Sequence, residues 1–293
     1  MAAMTNDGRS TIRSMQRLRT GVVVTCGLII LLSVNLTAGV LVAPTVVILS
    51  DKDRTGRINV ENPGNKSKEV EISIGFGLPV SDSLGKVSIA LQDSNVTDPR
   101  SAMGWVSAFP RKFRLEANGS QVVRLVARPP KDLTDGEYWA QIIVKSQEGE
   151  LSFPADSGGG SITTKLNMIM KTVIALKYRT GDLTAKLELS SMNIQQVDSQ
   201  VVVRCNLTNQ GNVSYLGVLT CRLLDADNQE ISLHKSNLAV YRDLCRGINL
   251  PVKAGDFKKP YQVNLHITGK GRTDVPREDM VYGNEITSSA VVE

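Results

Sequence analysis

One stretch constrains this chain more than any other: Ser161–Tyr178, reading SITTKLNMIMKTVIALKY. Ile162, Leu166, Met168, Met170, Ile174 and Leu176 fall on one parity. Lys165, Asn167, Lys171 and Lys177 fall on the other, interrupted by Ile169 and Val173. Alternation with a period of two predicts a β-strand with one buried face. Strands commonly run about 5–6 residues, so a strand of this length is expected to do more than close a sheet. A polar loop ending in Gly158–Gly160 leads into it, and Arg179–Asp182 reads as a turn and a domain boundary. Two roles are open. The strand is either an edge onto which another chain adds a strand, or the last, fully paired strand of its own domain.

The rest of the chain has the same grain. From Val40 onward there is almost no helical periodicity, only short β-type runs separated by turn signals. Val40–Leu49 is β-branched, and Arg57–Glu61 ends in Asn62-Pro63-Gly64. Val70, Ile72, Ile74, Phe76 and Leu78 alternate with polar or small residues. Phe113–Glu116 and Gln121–Ala127 flank a turn at Ala117-Asn118-Gly119, and Glu137–Lys145 follows Asp135-Gly136. Leu183–Leu189 opens a second series. In it Val201, Val203, Cys205 and Leu207 share a face, as do Leu219, Cys221 and Leu223, and then Val263, Leu265 and Ile267. Ser190–Gln200 is read as a connection, and Gly283–Val292 as the closing segment. The expected architecture is all-β: two immunoglobulin-like sandwiches, over residues 39–180 and 181–293.

Residues 1–38 read differently. Arg9, Arg13, Arg17 and Arg19 precede an apolar run, Gly21–Val34, and Leu36-Thr37-Ala38 follows as a small-residue cleavage site. This is the pattern of an export signal. Apolar character resumes at Gly39–Leu49, so an uncleaved inner-membrane anchor is the alternative. The formal charge of +5 belongs largely to this leader, beyond which 30 basic residues face 28 acidic ones. With aromatic residues at 4 %, neither a nucleic-acid surface nor a base-stacking platform is expected.

Chemistry-bearing patterns are sparse. His234 and His266 are the only histidines, and neither is spaced with a carboxylate or thiol as a chelate. There is no nucleophile elbow and no phosphate loop, so neither catalysis, a metal nor a cofactor is expected. Export permits disulfides, and Cys205 and Cys221 each sit on an apolar parity. A Cys205–Cys221 bridge across the second sandwich is expected. Buried thiols are the alternative, and pairing of Cys245 with either one stays open.

Residues 110–146 carry a more specific signal. Pro110, then Arg114-Leu115-Glu116, then Val123-Arg124-Leu125 resembles the signature of the periplasmic pilus-assembly chaperones, the PapD-like family. There a proline precedes an Arg-Leu-x-Pro-Gly turn, and Val-Arg-Leu returns at the same spacing; here Ala117-Asn118 stands for Pro-Gly. Ile58–Pro63 is similar to the family's early strand ending in Asn, and Asp135-Gly136-Glu137 to its Asp-x-Glu. Leu176–Arg179 is similar to its Tyr-Arg exit into the second domain. The resemblance covers about residues 40–179. The second half is similar only in being immunoglobulin-like.

The resemblance implies a periplasmic chaperone of fimbrial subunits. It would cap an incomplete subunit by lending a strand, with Leu166, Met168 and Met170 as the donor residues. It also implies exported fibre subunits and an outer-membrane assembly protein as partners, and a junction between Glu137 and Arg179. The family anchors the subunit's terminal carboxylate with two basic residues, which align with Val46 and Ala175 here. Neither is basic, so Lys171 and Lys177 are the candidate substitutes. The rival reading is a structural or adhesive envelope protein built from the same two sandwiches.

Overall fold

The computed structural model describes residues 39–92, 96–148, 168–252 and 257–293. The leader and Leu166 lie outside the described residues. Among those described, no helix is long and apolar enough to cross a membrane. Among the described residues, two three-residue 3-10 turns aside, the regular structure is β.

The first sandwich contains β1 (Leu41–Ala43), β2 (Val46–Ser50), β3 (Thr55–Glu61), β4 (Lys68–Ser81) and β5 (Val87–Gln92). It continues with β6 (Val106–Phe109), β7 (Lys112–Leu115), β8 (Ser120–Ala127), β9 (Gly136–Glu148) and β10 (Ile169–Thr180). One sheet has the order β1-β3-β8-β6. The other runs β2-β10-β9-β4-β5, with β7 also on β4. Their facing sides bury Ile58, Val60, Val123 and Leu125 against Ile72, Ile142, Val144, Leu176 and Tyr178. The alternating residues of the sequence thus define a core by their parity.

Two expectations change at the ends of this domain. The Val40–Leu49 run is two strands rather than one. Pro44 cannot donate to a ladder, and after it the chain leaves β3 for β10. Arg179 and Thr180 belong to β10, not to the turn, because β9 pairs with both. The turn begins at Gly181, whose φ of +64 suits glycine.

The second sandwich contains β11 (Leu187–Val197), β12 (Gln200–Asn209), β13 (Tyr215–Leu224), β14 (Glu230–Val240), β15 (Asp243–Pro251), β16 (Tyr261–Thr268) and β17 (Ile286–Val292). The sheets are β11-β12-β15 and β14-β13-β16-β17. Their core holds Val201, Val203, Leu207, Leu219, Leu223, Val263, Leu265 and Ile267. The predicted connection Ser190–Gln200 is strand through Val197. A register shift between Leu189 and Ser191 lets Met192 and Ile194 pack against this core.

Cys205 and Cys221 lie in that core on opposite sheets as free thiols, so the expected bridge is not formed. Burial pushes both thiols up to about 12, where they act as small apolar side chains.

β4 does two jobs. Lys68–Gly75 pairs with β9, and from Phe76 the strand leaves β9 and pairs with β5. The Phe76–Gln92 hairpin is therefore an arm that reaches the second sandwich. At its tip the Gly247 amide donates to the Gly85 carbonyl at 2.9 Å, and the Cys245 amide donates to Ser81 Oγ at 2.9 Å. Gly85 has φ +77, and a Cβ there would stand 2.2 Å from the Gly247 nitrogen. Only a glycine admits this backbone approach. The arm covers part of the outer edge of β15, which would otherwise present unpaired amides.

Candidate functional site

β10 is paired unevenly. β9 covers it from Ile169 to Thr180, whereas the parallel strand β2 covers only Ala175–Arg179. Ile169–Ile174 therefore present a main-chain edge with no partner strand among the described residues. Ile174, Leu176 and Tyr178 point into the core. Met170 and Met168 continue that face beyond it, Met170 partly buried and Met168 53 % exposed. Ile169, on the opposite face, is 51 % exposed. An unpaired edge with apolar side chains at its end is open to addition of another strand.

The other face of β10 leads away from this edge towards the second sandwich. Lys171 is exposed beside Lys145 of β9. Val173 and Ala175 come next and line a cleft of about 330 Å³ between the sandwiches. Its first wall adds Thr45, Val46 and Gln141, and the arm contributes Pro79, Val87 and Ile89. The second sandwich supplies Leu216, Leu238, Ala239, Tyr241 and Leu244, together with Arg246 and Arg272.

Beyond the cleft lies the junction. Glu137, on β9, is fully buried. Its Oε1 accepts from Lys177 Nζ at 2.9 Å, Trp139 Nε1 at 2.7 Å and Ser214 Oγ at 2.5 Å. Its Oε2 accepts from Arg179 Nε at 2.8 Å. Lys177 Nζ also contacts Ser214 Oγ, and Arg179 Nη1 donates to the Asp279 carbonyl oxygen. The Lys177 ammonium lies 4.1 Å from the Tyr241 ring centroid, and Trp139 packs on the same ring at 5.1 Å. One carboxylate thus ties two cations of the first sandwich to Ser214 of the second.

Burial alone would raise the Glu137 carboxyl, but the Lys177 and Arg179 charges and the hydrogen bonds outweigh it. They hold it at about 2, below the ordinary 4.5. A lowered carboxylate contributes stability that is complete above its unfolded value and is lost as pH falls through the folded one. An acid titration is therefore expected to loosen the junction between about pH 4.5 and pH 2. Trp139 fluorescence is the readout, since its indole nitrogen donates to this carboxylate. A trace that stays flat to pH 2 would refute the coupling.

The candidate residues of the sequence thus separate. Glu137 and Arg179 are brought together. Met168 and Met170 lie at the open edge, and Lys171 is at the surface near it. Lys177 is 1 % exposed and engaged by Glu137, so it presents no free charge to an incoming carboxylate. On an isolated strand its parity reads as solvent-facing, but the second sandwich covers that face. Ser214 and Arg246 were missed. Arg246 had a signal in the sequence: a charge on the apolar parity of Leu244, Ile248 and Leu250.

No protein-family profile matches the sequence, and no curated protein does. Solved structures similar to this chain include the YadV chaperone, at 15% identity over 86% of this chain and 99% of that one, with a TM-score of 0.43. The CupB2 chaperone of Pseudomonas aeruginosa is 15% identical over 86% of this chain and 100% of its own, with a TM-score of 0.42. The SafB chaperone, solved with the SafA pilin of Salmonella enterica, is 15% identical over 87% of this chain, with a TM-score of 0.41 over 97% of that chain.

Proposed function

We propose that this protein is a PapD-like periplasmic chaperone that holds incomplete pilus-type subunits by strand addition along β10. The observation that carries the reading is the unpaired edge at Ile169–Ile174, continuous with the exposed Met168. A subunit lacking a strand has open amides, open carbonyls and an uncovered apolar groove. The β10 edge satisfies the first two through its backbone, at about 0.5–1.5 kcal/mol per bond. Leu166, Met168 and Met170 fill the groove from one parity. Methionine is unbranched and adapts to pockets of different shape, which suits a holder of several related subunits. No covalent step and no cofactor are needed. The motif order at residues 110–146 supports the same reading, as does the period-two pattern that runs into β10.

The test is capture in cells that make the protein. A photoreactive side chain replaces Met168, and adducts are identified by mass spectrometry. Small exported subunits with an incomplete sandwich are the expected adducts. Self-adducts alone, or none at normal expression, would mean that the edge holds no subunit.

A further inference from the structure

The hairpin arm leaves its own flank bare. Its ladder sets Phe76–Ser81 against Val87–Gln92, and neither segment carries a charged side chain. β5 is the last strand of its sheet, and β4 is its one partner strand among the described residues. Every residue from Ser88 to Gln92 is exposed, so both faces of the strand and its outer edge meet solvent. Ile89 and Leu91 are 45 % and 40 % exposed on one face, and Val80 is exposed on the other. Native edges are ordinarily blunted by a charge, a proline, a bulge or a covering loop. β5 has no charge and no proline, and its pairing with β4 runs without a register shift. A two-stranded ribbon is also marginal in water, and further strands stabilise it.

Register decides what can cover this edge. Residues directly opposite in an antiparallel pair lie on the same face of the sheet, so a strand laid on β5 must match its alternation. β5 matches itself. With Ile89 set opposite Ile89 of a second copy, Val87 meets Leu91 and Ser88 meets Ala90, each pair twice about a two-fold axis. Apolar side chains then meet on one face and small ones on the other. Like charges facing each other would repel a copy, and this edge has none. The apolar face also continues packing already present: Val87 rests on the core of the second sandwich, and Ile89 follows it along the cleft wall.

We infer that the β5 edge is a self-association surface, where a second copy of this chain pairs antiparallel through Val87–Gln92 and joins the two arms into a four-stranded sheet. The inference goes beyond strand addition along β10 and does not need it. In the order β2-β10-β9-β4-β5 the open stretch of β10 faces the β2 side, so the two pairings use different edges. A contact of 6 strand residues a side falls well short of the roughly 20–30 of a standard interface. The dimer is therefore expected to be reversible, with a dissociation constant on the order of micromolar.

The test is sedimentation of the protein purified from cells that make it, over about 0.5–100 μM. Monomer is expected at the lowest concentration and dimer at the highest. Ile89→Lys and Ile89→Glu each set like charges opposite one another and should weaken the dimer at least about tenfold. An equimolar mixture of the two variants should restore it, because opposite charges then face each other; that recovery also shows that both variants fold. Monomer at every concentration, a dimer that survives Ile89→Lys, or a mixture that stays monomeric overturns the inference. So does a dimer lost in Met168→Asp, which would place the association on β10. A photoreactive side chain in place of Ala90 tests for a different occupant in cells: adducts with another protein and none with this chain overturn the inference as well. Subunit capture at Met168 is read separately, so either reading can fail alone.

Discussion

Glu137→Ala is expected to destabilise the protein by about 3–5 kcal/mol, the cost of leaving buried charges without their partner. The carboxylate is fully buried, as are the two cations it serves, so solvent cannot take its place. Removing it leaves Lys177 and Arg179 side by side, and Ser214 and Trp139 without their acceptor. Glu137→Gln keeps the shape and one acceptor but loses the charge, and should fall between the two. A triple exchange of Glu137, Lys177 and Arg179 for apolar residues of similar volume should recover much of the loss, because the net worth of a buried ion cluster is small. Denaturant midpoints at constant slope measure all three. A cost below about 1 kcal/mol for Glu137→Ala would mean that the junction is not held by this cluster.

Met168→Asp should weaken partner capture by at least roughly a hundredfold while leaving stability within about 0.5 kcal/mol. The residue is 53 % exposed and lies just before β10 begins, so the free protein accommodates a carboxylate there. In the complex proposed above the same position would enter an apolar groove, where an unpaired charge would have no compensation. The contrast between unchanged folding and lost capture separates a binding role from a packing role. Met170→Asp makes a useful comparison. Met170 is partly buried, so its effect should be divided between stability and capture. Capture of a subunit by Met168→Asp at normal strength would remove this side chain from the interface.

Much of the first sandwich was legible because apolar residues recur at alternate positions along its strands and turn signals separate them. β4, β8 and β9 fall where apolar residues recur at alternate positions, whereas the Glu137–Arg179 junction was expected only from the resemblance. β14 and β15 were not legible. The inward parity of β14 carries Ser232, His234 and Ser236 before it reaches Leu238 and Val240, and β15 has Arg246 on its inward face, so neither reads as a half-buried strand from end to end. Both lie at the open side of their sheets, where the core thins and polar side chains are tolerated. The burial of Lys177 was illegible for another reason. Parity says which face of a sheet a residue occupies, but nothing in one strand says that a second sandwich covers that face. The cysteines show the same limit: parity places Cys205 and Cys221 inside, but does not say whether they are joined.

The parallel pairing of β2 with β10 has a consequence for how this chain comes to be folded. Val46 meets Ala175, and Ser50 meets Arg179, so the sheet β2-β10-β9-β4-β5 joins segments from opposite ends of the first sandwich. Contacts so distant in sequence bring little reward until the loop between them closes, which makes such sheets slow to form. A chain emerging from its N-terminus cannot complete this sandwich until residue 180 has arrived. Until then β9 lacks one of its two neighbours, and β2 has no strand to pair with in its sheet. During its own maturation the protein therefore passes through the condition from which it is proposed to protect others, a sandwich waiting for its last strand.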